Sequence, residues 1–441
     1  MSIIADLHIH SKYSRAVSQK MDLEGIAYWA SLKDIDLVAT GDWTHPLWFR
    51  EIKQKLKEIS SGIFQLENNK KVNFILSTEI SSIYSHKGKV RRIHNLVFSP
   101  SIETAEKINK KLNSFGCNLL SDGRPIIGLS SKQLLELILE IDENAFLIPC
   151  HIWTPWFSLF GSKSGYDSIE ESFDELSKYI YGIETGLSSD PIMNWQIKEL
   201  ENRSILSFSD AHSGPKLGRE ATVFIPNNTY ETYETYSYFD IYSAIRQDKN
   251  AKLKIGFTIE FFPEEGKYHW SGHRNCGIRY NPEEVLKNGE ICPKCGKPLT
   301  VGVENRVLQL SSKKLKTNDL IFIKNSAGLT FVYDKQKKFR PFVSIVPLME
   351  VLLEIYNSPK KAETEYLRLI KKLGSEFEIL LKKSYDEIEK EAGEKFRQAI
   401  QIIRERKVYV SPGYDGVFGV VKIFKDKNVD KKPKETQASL F

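Results

Sequence analysis

The chain has 441 residues, 41% hydrophobic and 27% charged, with a formal net charge of +6. That length exceeds what one hydrophobic core supports, so two or three domains are expected. The absence of any run of about 18 apolar residues excludes a membrane-spanning helix. The opening MSIIADLHIH carries Asp6 and His8 where a secretory signal needs a basic end and an apolar run, so an intracellular, cytoplasmic protein is expected.

From residue 3 to about 262, β-rich runs alternate with helical ones. The strand candidates in chain order are IIADLHIH, IDLVATGD, NFILSTEI, RIHNLVF, AFLIPCHIW, YIYGIETG and SILSFSDAH, with helical patterns at 22–33, at 46–60 and in SSKQLLELILEID. Seven strands alternating largely with helices predict an α/β fold, an irregular seven-stranded β/α barrel over 1–262. The irregularity is expected at 91–98, which comes after the third strand with no room for a helix. Residues 263–305 are rich in Gly, Pro and Cys and predict a small zinc-binding module. Lysine-rich helical periodicity predicts a helical domain over 306–424, and 425–441 a flexible tail. The basic surplus lies beyond residue 305, which favours a polyanionic partner.

Chemistry-bearing residues recur where these strands end. His8 and His10 lie two apart, so both imidazoles point to one side of a strand. Asp42 and His45, Glu79, His94, His151, Glu184, and Asp210 with His212 come in turn after them. Functional residues of β/α barrels gather at the carboxyl ends of the strands, so these groups are expected to converge on one metal site. Mixed imidazole and carboxylate donors suit zinc, manganese or iron. Bridged ions of that kind activate water for attack on phosphate esters without a serine or cysteine nucleophile.

Further along, His273 and Cys276 in GHRNC and Cys292 and Cys295 in CPKCG form H-x2-C and C-x2-C pairs, a closed structural zinc site. His269 is an alternative to His273, less well spaced from Cys276. Cys117 and Cys150 sit in apolar surroundings and read as buried small hydrophobes. The loop IWTPWFSLFGSKSG after His151 crowds Trp153, Trp156, Phe157 and Phe160 beside Lys163. Its aromatics are either core or a surface for stacking on a base.

The order HxH, Asp with His, Glu, His, His and DxH resembles the polymerase and histidinol phosphatase (PHP) superfamily over about residues 3–262. That resemblance implies catalysis by His8, His10, Glu79, His151, Asp210 and His212. It also implies His8, His10, Glu79 and Asp210 around one ion, Glu79, His94 and His151 around a second, and His45 with His212 around a third, Asp42 replacing a missing ligand or capping a helix. Two departures stand out: Arg15 occupies a position that is often acidic, and Asp42 and His45 are not adjacent. With GHRNC to CPKCG, LGSEFEILL and SPGYDGVFG, the chain resembles the archaeal endonuclease Q family almost throughout. This second resemblance implies incision 5′ to uracil, hypoxanthine, xanthine or an abasic site in double- or single-stranded DNA, leaving 3′-hydroxyl and 5′-phosphate ends. The cofactors expected are two or three divalent ions, zinc with manganese or magnesium as alternatives, and one structural zinc. Trp153, Trp156, Phe157 and Lys163 are expected to touch substrate, and Glu184 to support the site or bind substrate rather than to ligate. In QASLF, Gln437, Leu440 and Phe441 look like a short form of the motif that binds the sliding clamp PCNA. A PHP-type small-molecule phosphatase is the enzymatic alternative, and a non-catalytic DNA-binding scaffold the other.

Overall fold

A computed structural model describes residues 2–227 and 235–425 of the chain. Each of the seven expected segments contains a strand: Ile3–Asp6, Leu37–Ala39, Asn69–His86, Lys89–Ser99, Phe146–Pro149, Gly182–Glu184 and Ser204–Leu206. The first three are parallel neighbours. The third and fourth form a long antiparallel hairpin, because two residues of turn leave no crossover, and the fifth lies antiparallel to the fourth. Ile152 donates its N–H to Glu184 O at 3.2 Å. The Gly182–Glu184 and Ser204–Leu206 strands pair in parallel. His10 donates to Ala211 O at 3.0 Å, so the last strand's extension returns to the first. The seven are thus tied in a ring of backbone hydrogen bonds.

The ring opens outward at the first strand. Ile3–Asp6 also pairs antiparallel with Ala221–Pro226, which pairs with Leu253–Glu260. Helices close the crossovers with side-chain caps at their exposed N–H groups: Asp22 on Gly25, Ser101 on Thr104, and a Ser130–Gln133 capping box.

The stretch expected to be helical, 306–424, is mixed. Leu320–Lys324, Thr330–Asp334 and Phe342–Ser344 join the main sheet through a parallel pair between Phe342–Ser344 and Leu253–Glu260. The alternation of burial along TFVYD is the strand signature that the lysine-rich surroundings concealed. Helices Leu348–Tyr356, Pro359–Leu373, Tyr385–Ala392 and Glu394–Arg404 come next, interrupted by a π-helical turn at Glu378–Lys382. The fully buried Arg404 stabilises that interruption by donating to the carbonyls of Ile379, Leu380 and Lys383. A hairpin of Tyr409–Ser411 and Val420–Lys422 then docks on the cysteine-rich module. Among the described residues no helix is long and apolar enough to cross a membrane.

Candidate active site

Six of the expected residues converge at one end of the ring. His10 Nε2 lies 3.1 Å from Glu79 Oε2 and 3.1 Å from Asp210 Oδ1, and His8 Nε2 stands 3.8 and 3.9 Å from the same two oxygens. The other oxygen of Glu79 faces a second group, 2.5 Å from His94 Nδ1 and 3.1 Å from His151 Nε2. Glu79 therefore bridges two donor sets: His8, His10 and Asp210 on one side, His94 and His151 on the other. His8 Nε2, His10 Nε2 and Asp210 Oδ1 are buried atoms without a hydrogen-bond partner. Orphaned polar atoms are costly when buried, and a cation at their meeting point satisfies all three. The donor set fits divalent ions on both sides.

The charges are matched accordingly. Burial alone would push His8 and His10 down, but Glu184 against His8 and Asp42 against His10 hold both imidazoles well above their ordinary value. Burial would raise Glu79 and Asp210, yet His94 and Arg124 hold Glu79, and the neighbouring histidines hold Asp210, well below the usual carboxylate range. Burial takes His94 down to about 4, against the raising effect of the Glu79 carboxylate.

Three of the expected ligand or substrate positions have other surroundings. Asp42 accepts from Ser11 N, Ser11 Oγ, Ser14 Oγ and His10 Nδ1, the last at 3.0 Å, so its oxygens are occupied behind His10. Glu184, expected to support the site or to bind substrate, is fully buried. It lies 2.9 Å from His8 Nδ1 and accepts the His151 N–H at 2.8 Å. His45 is not brought into the group. A turn closed by its N–H to Asp42 O directs it to the start of the Pro46–Lys55 helix, where its ring stacks on Tyr13 at 4.5 Å. His212 stands at the mouth, 4.7 Å from the His10 ring, with Nδ1 2.8 Å from Asp210 O.

Three residues of the site, Asp42, His151 and Asp210, have positive φ, at 46°, 28° and 47°. Non-glycine residues in that region persist where the surroundings over-determine them, as they do at functional sites.

The aromatic loop is largely core. Trp153 is buried with its indole N–H donated to Asn194 Oδ1 at 2.8 Å, and Phe160 packs on it. Phe157 lies 4.8 Å from the His94 ring, and Trp156 is half-buried against Tyr268. Lys163 is exposed. Gly161 and Gly165 reflect close packing: a Cβ on Gly165 would come within 2.3 Å of Gly161 N.

Sequence reasoning missed Arg124, whose Nη1 lies 3.0 Å from Glu79 Oε2. It sits in a turn without periodicity, and the only local signal is Gly123, where a Cβ would come within 2.4 Å of Asp42 Oδ2. The Cys150 thiol, read as a plain core residue, is buried within 4.8 Å of donor atoms of His8 and Glu79. In the module, His273, Cys276, Cys292 and Cys295 form one group, with Cys295 Sγ 3.3 Å from His273 Nδ1. His269 lies outside it, near Glu304. Gln437, Leu440 and Phe441 fall outside the described residues.

No family model matches the chain. It is 31% identical over 285 residues to an uncharacterized protein of Methanocaldococcus jannaschii, covering 63% of this chain but only 32% of that one. To an uncharacterized protein of Bacillus subtilis it is 29% identical over 330 residues, 70% of this chain and 78% of that one. The lesion-specific endonuclease PfuEndoQ of Pyrococcus furiosus has a similar structure, at 28% identity with a TM-score of 0.78, covering 97% of this chain and 98% of that one. A structure of endonuclease Q in complex with a 27-mer duplex substrate with an abasic lesion at the active site matches equally, with a TM-score of 0.78, 29% identity and 98% and 100% coverage.

Proposed function

We propose, from the premise that this chain is of the endonuclease Q type over nearly its whole length, that it is a metal-dependent DNA repair endonuclease acting at damaged nucleotides. The observation that carries the proposal is Glu79 standing between two donor groups, in one of which His8 Nε2, His10 Nε2 and Asp210 Oδ1 are buried without a hydrogen-bond partner. His8, His10, Glu79 and Asp210 hold one divalent ion and Glu79, His94 and His151 the second, zinc, manganese or magnesium. When bound, such ions polarise a phosphoryl oxygen and activate water for in-line attack. With His45 turned away, two ions are proposed rather than three.

The chain's own residues do the rest. Glu184 and Asp42 fix the orientation of the His8 and His10 rings from behind. Arg124, partly exposed beside Glu79, offers its guanidinium to the phosphate being cleaved. His212, at the mouth, is the group placed to exchange a proton with the departing or attacking oxygen. The four ligands of the module hold a structural zinc.

The substrates we infer are uracil, hypoxanthine, xanthine and abasic sites, cut on their 5′ side to leave 3′-hydroxyl and 5′-phosphate ends. The resemblance to endonuclease Q supports this reading. The deciding experiment compares strand cleavage on matched duplexes with and without one deoxyuridine, using the intact protein and Asp210→Ala with divalent metal added. Incision just 5′ of the uracil, lost in the variant, is expected. Hydrolysis of a small phosphate monoester with neither duplex cut would replace the proposal with a phosphatase. Clamp binding rests on QASLF alone. Deleting 437–441 is expected to abolish stimulation by PCNA while basal cleavage continues, and unchanged clamp binding would reject the motif.

A further inference from the structure

The loop after His151 contributes little exposed aromatic surface, and an exposed aromatic lies on the C-terminal hairpin, which Tyr268 links to that loop. Phe418, in the tip 412–419, is 63% exposed. Single exposed apolar residues are ordinary; the setting of this one is not. The tip is fixed to the module at many points. Gly413 N donates to Glu264 O at 2.9 Å, Gly416 N to Lys267 O at 3.0 Å, Gly419 N to Glu265 O at 3.0 Å, and Trp270 N to Gly413 O at 2.9 Å. Asp415 accepts from Arg274 N at 2.7 Å and from Thr300 Oγ1 at 2.6 Å. A Cβ on Gly419 would come within 2.0 Å of Glu264 O, so the tip seats only with glycine there. A segment held this firmly still presents a phenyl ring to water.

The ring's surroundings are cationic and apolar. Lys267 Nζ lies 4.4 Å over it, the Arg274 guanidinium lies against Gly416, and Tyr409, Val410 and Val420 on the same hairpin are exposed. The hairpin is also joined to the metal-ligand loop. Tyr268, beside Lys267, reaches Gly416 with its hydroxyl and packs its ring 5.6 Å from Trp156, five residues after His151. A rigidly held ring under an ammonium group, on a hairpin linked by Tyr268 to the metal-ligand loop, is the arrangement that stacks on nucleobases along a phosphate backbone.

We propose that Phe418 enters the DNA duplex beside the lesion and stacks in the place of the nucleobase drawn toward the metal cluster. The proposal rests on the endonuclease reading of the metal site. Extruding a base costs the stacking it leaves, and a ring that restores stacking in the gap offsets that cost only in a duplex.

Phe418 is a positioning residue, so the test separates opening of the duplex from chemistry. Cleavage of one uracil is measured in a duplex and in the same strand alone, for wild type, Phe418→Ser and Phe418→Trp, with 2-aminopurine placed beside the uracil to report unstacking on binding. The exposure of Phe418 leaves the fold of both variants intact, which thermal melting checks. In Phe418→Ser, the duplex-to-single-strand ratio of kcat/KM is expected to fall by roughly tenfold, with a smaller 2-aminopurine signal, and Phe418→Trp to restore both. An unchanged ratio in Phe418→Ser overturns the proposal alone. A wild-type protein that cuts neither substrate overturns the endonuclease reading and the proposal with it.

Discussion

His8 and His10 each have one nitrogen turned to the candidate metal-ligand group and the other held by a buried carboxylate, Glu184 for His8 and Asp42 for His10. Such partners fix the tautomer and ring orientation and raise the ligand's basicity. Replacing Asp42 by Asn or Glu184 by Gln keeps shape and removes charge. Each is expected to lower metal affinity or cleavage about 10- to 100-fold, read from the divalent-ion dependence of incision. A variant with unaltered metal dependence would show that the carboxylate only fills space. Most of this centre was legible in the sequence, because imidazoles and carboxylates at strand ends have few other reasons to recur. What each did within it was less so. Whether Asp42 faces the ions or backs His10 depends on the hydrogen bonds from Ser11 and Ser14, which no spacing encodes. The crowding of Trp153 and Phe160 looked like an exposed loop because of its glycines, and those glycines serve packing instead.

Most ring strands are buried on both faces and announced themselves as short apolar runs, and so they were legible. Thr330–Asp334 was not, since its neighbours are charged and its partner strand is short. Leu253–Glu260 is the element that joins ring and extension, pairing with Ala221–Pro226 on one edge and Phe342–Ser344 on the other. Its last residue, Glu260, is fully buried. Burial pushes its carboxyl up to about 8, even though the Ser207 and Thr258 hydroxyls donate to it. A carboxyl raised in this way keeps its proton in the folded protein while the unfolded chain releases it near 4.5. The stability it contributes is therefore complete below that value and lost as pH rises to about 8. The melting temperature of wild type is expected to fall across this window more steeply than that of Glu260→Gln, which carries no proton to lose. Glu220 is raised by burial and by the Glu260 charge, so the two titrate together and the difference between the profiles reports the pair. Parallel pH profiles for the two proteins would show that Glu260 is ionised in the fold.

At the scale of the whole molecule, the basic C-terminal part is seated on the ring through a buried ion pair. Lys33 closes the Leu23–Lys33 helix of the ring, and its Nζ lies 2.9 Å from Glu376 Oε2, with side chains 2% and 3% exposed. Glu376 is shared by the elements around it, accepting from Leu348 N at 2.9 Å and from the Tyr366 hydroxyl at 2.8 Å. A buried pair recovers its desolvation cost only while both partners are present. Lys33→Met leaves the carboxylate without its cation and is expected to destabilise the protein by about 3–5 kcal/mol in equilibrium denaturation. Adding Glu376→Gln removes the stranded charge while retaining an acceptor for Leu348, so the double variant is expected to recover much of the loss. If the two losses simply add, the pair is not coupled and the seating depends on the apolar contacts around it. Recovery would mean that this pair joins the ring carrying the candidate metal ligands to the part of the chain that carries the positive charge.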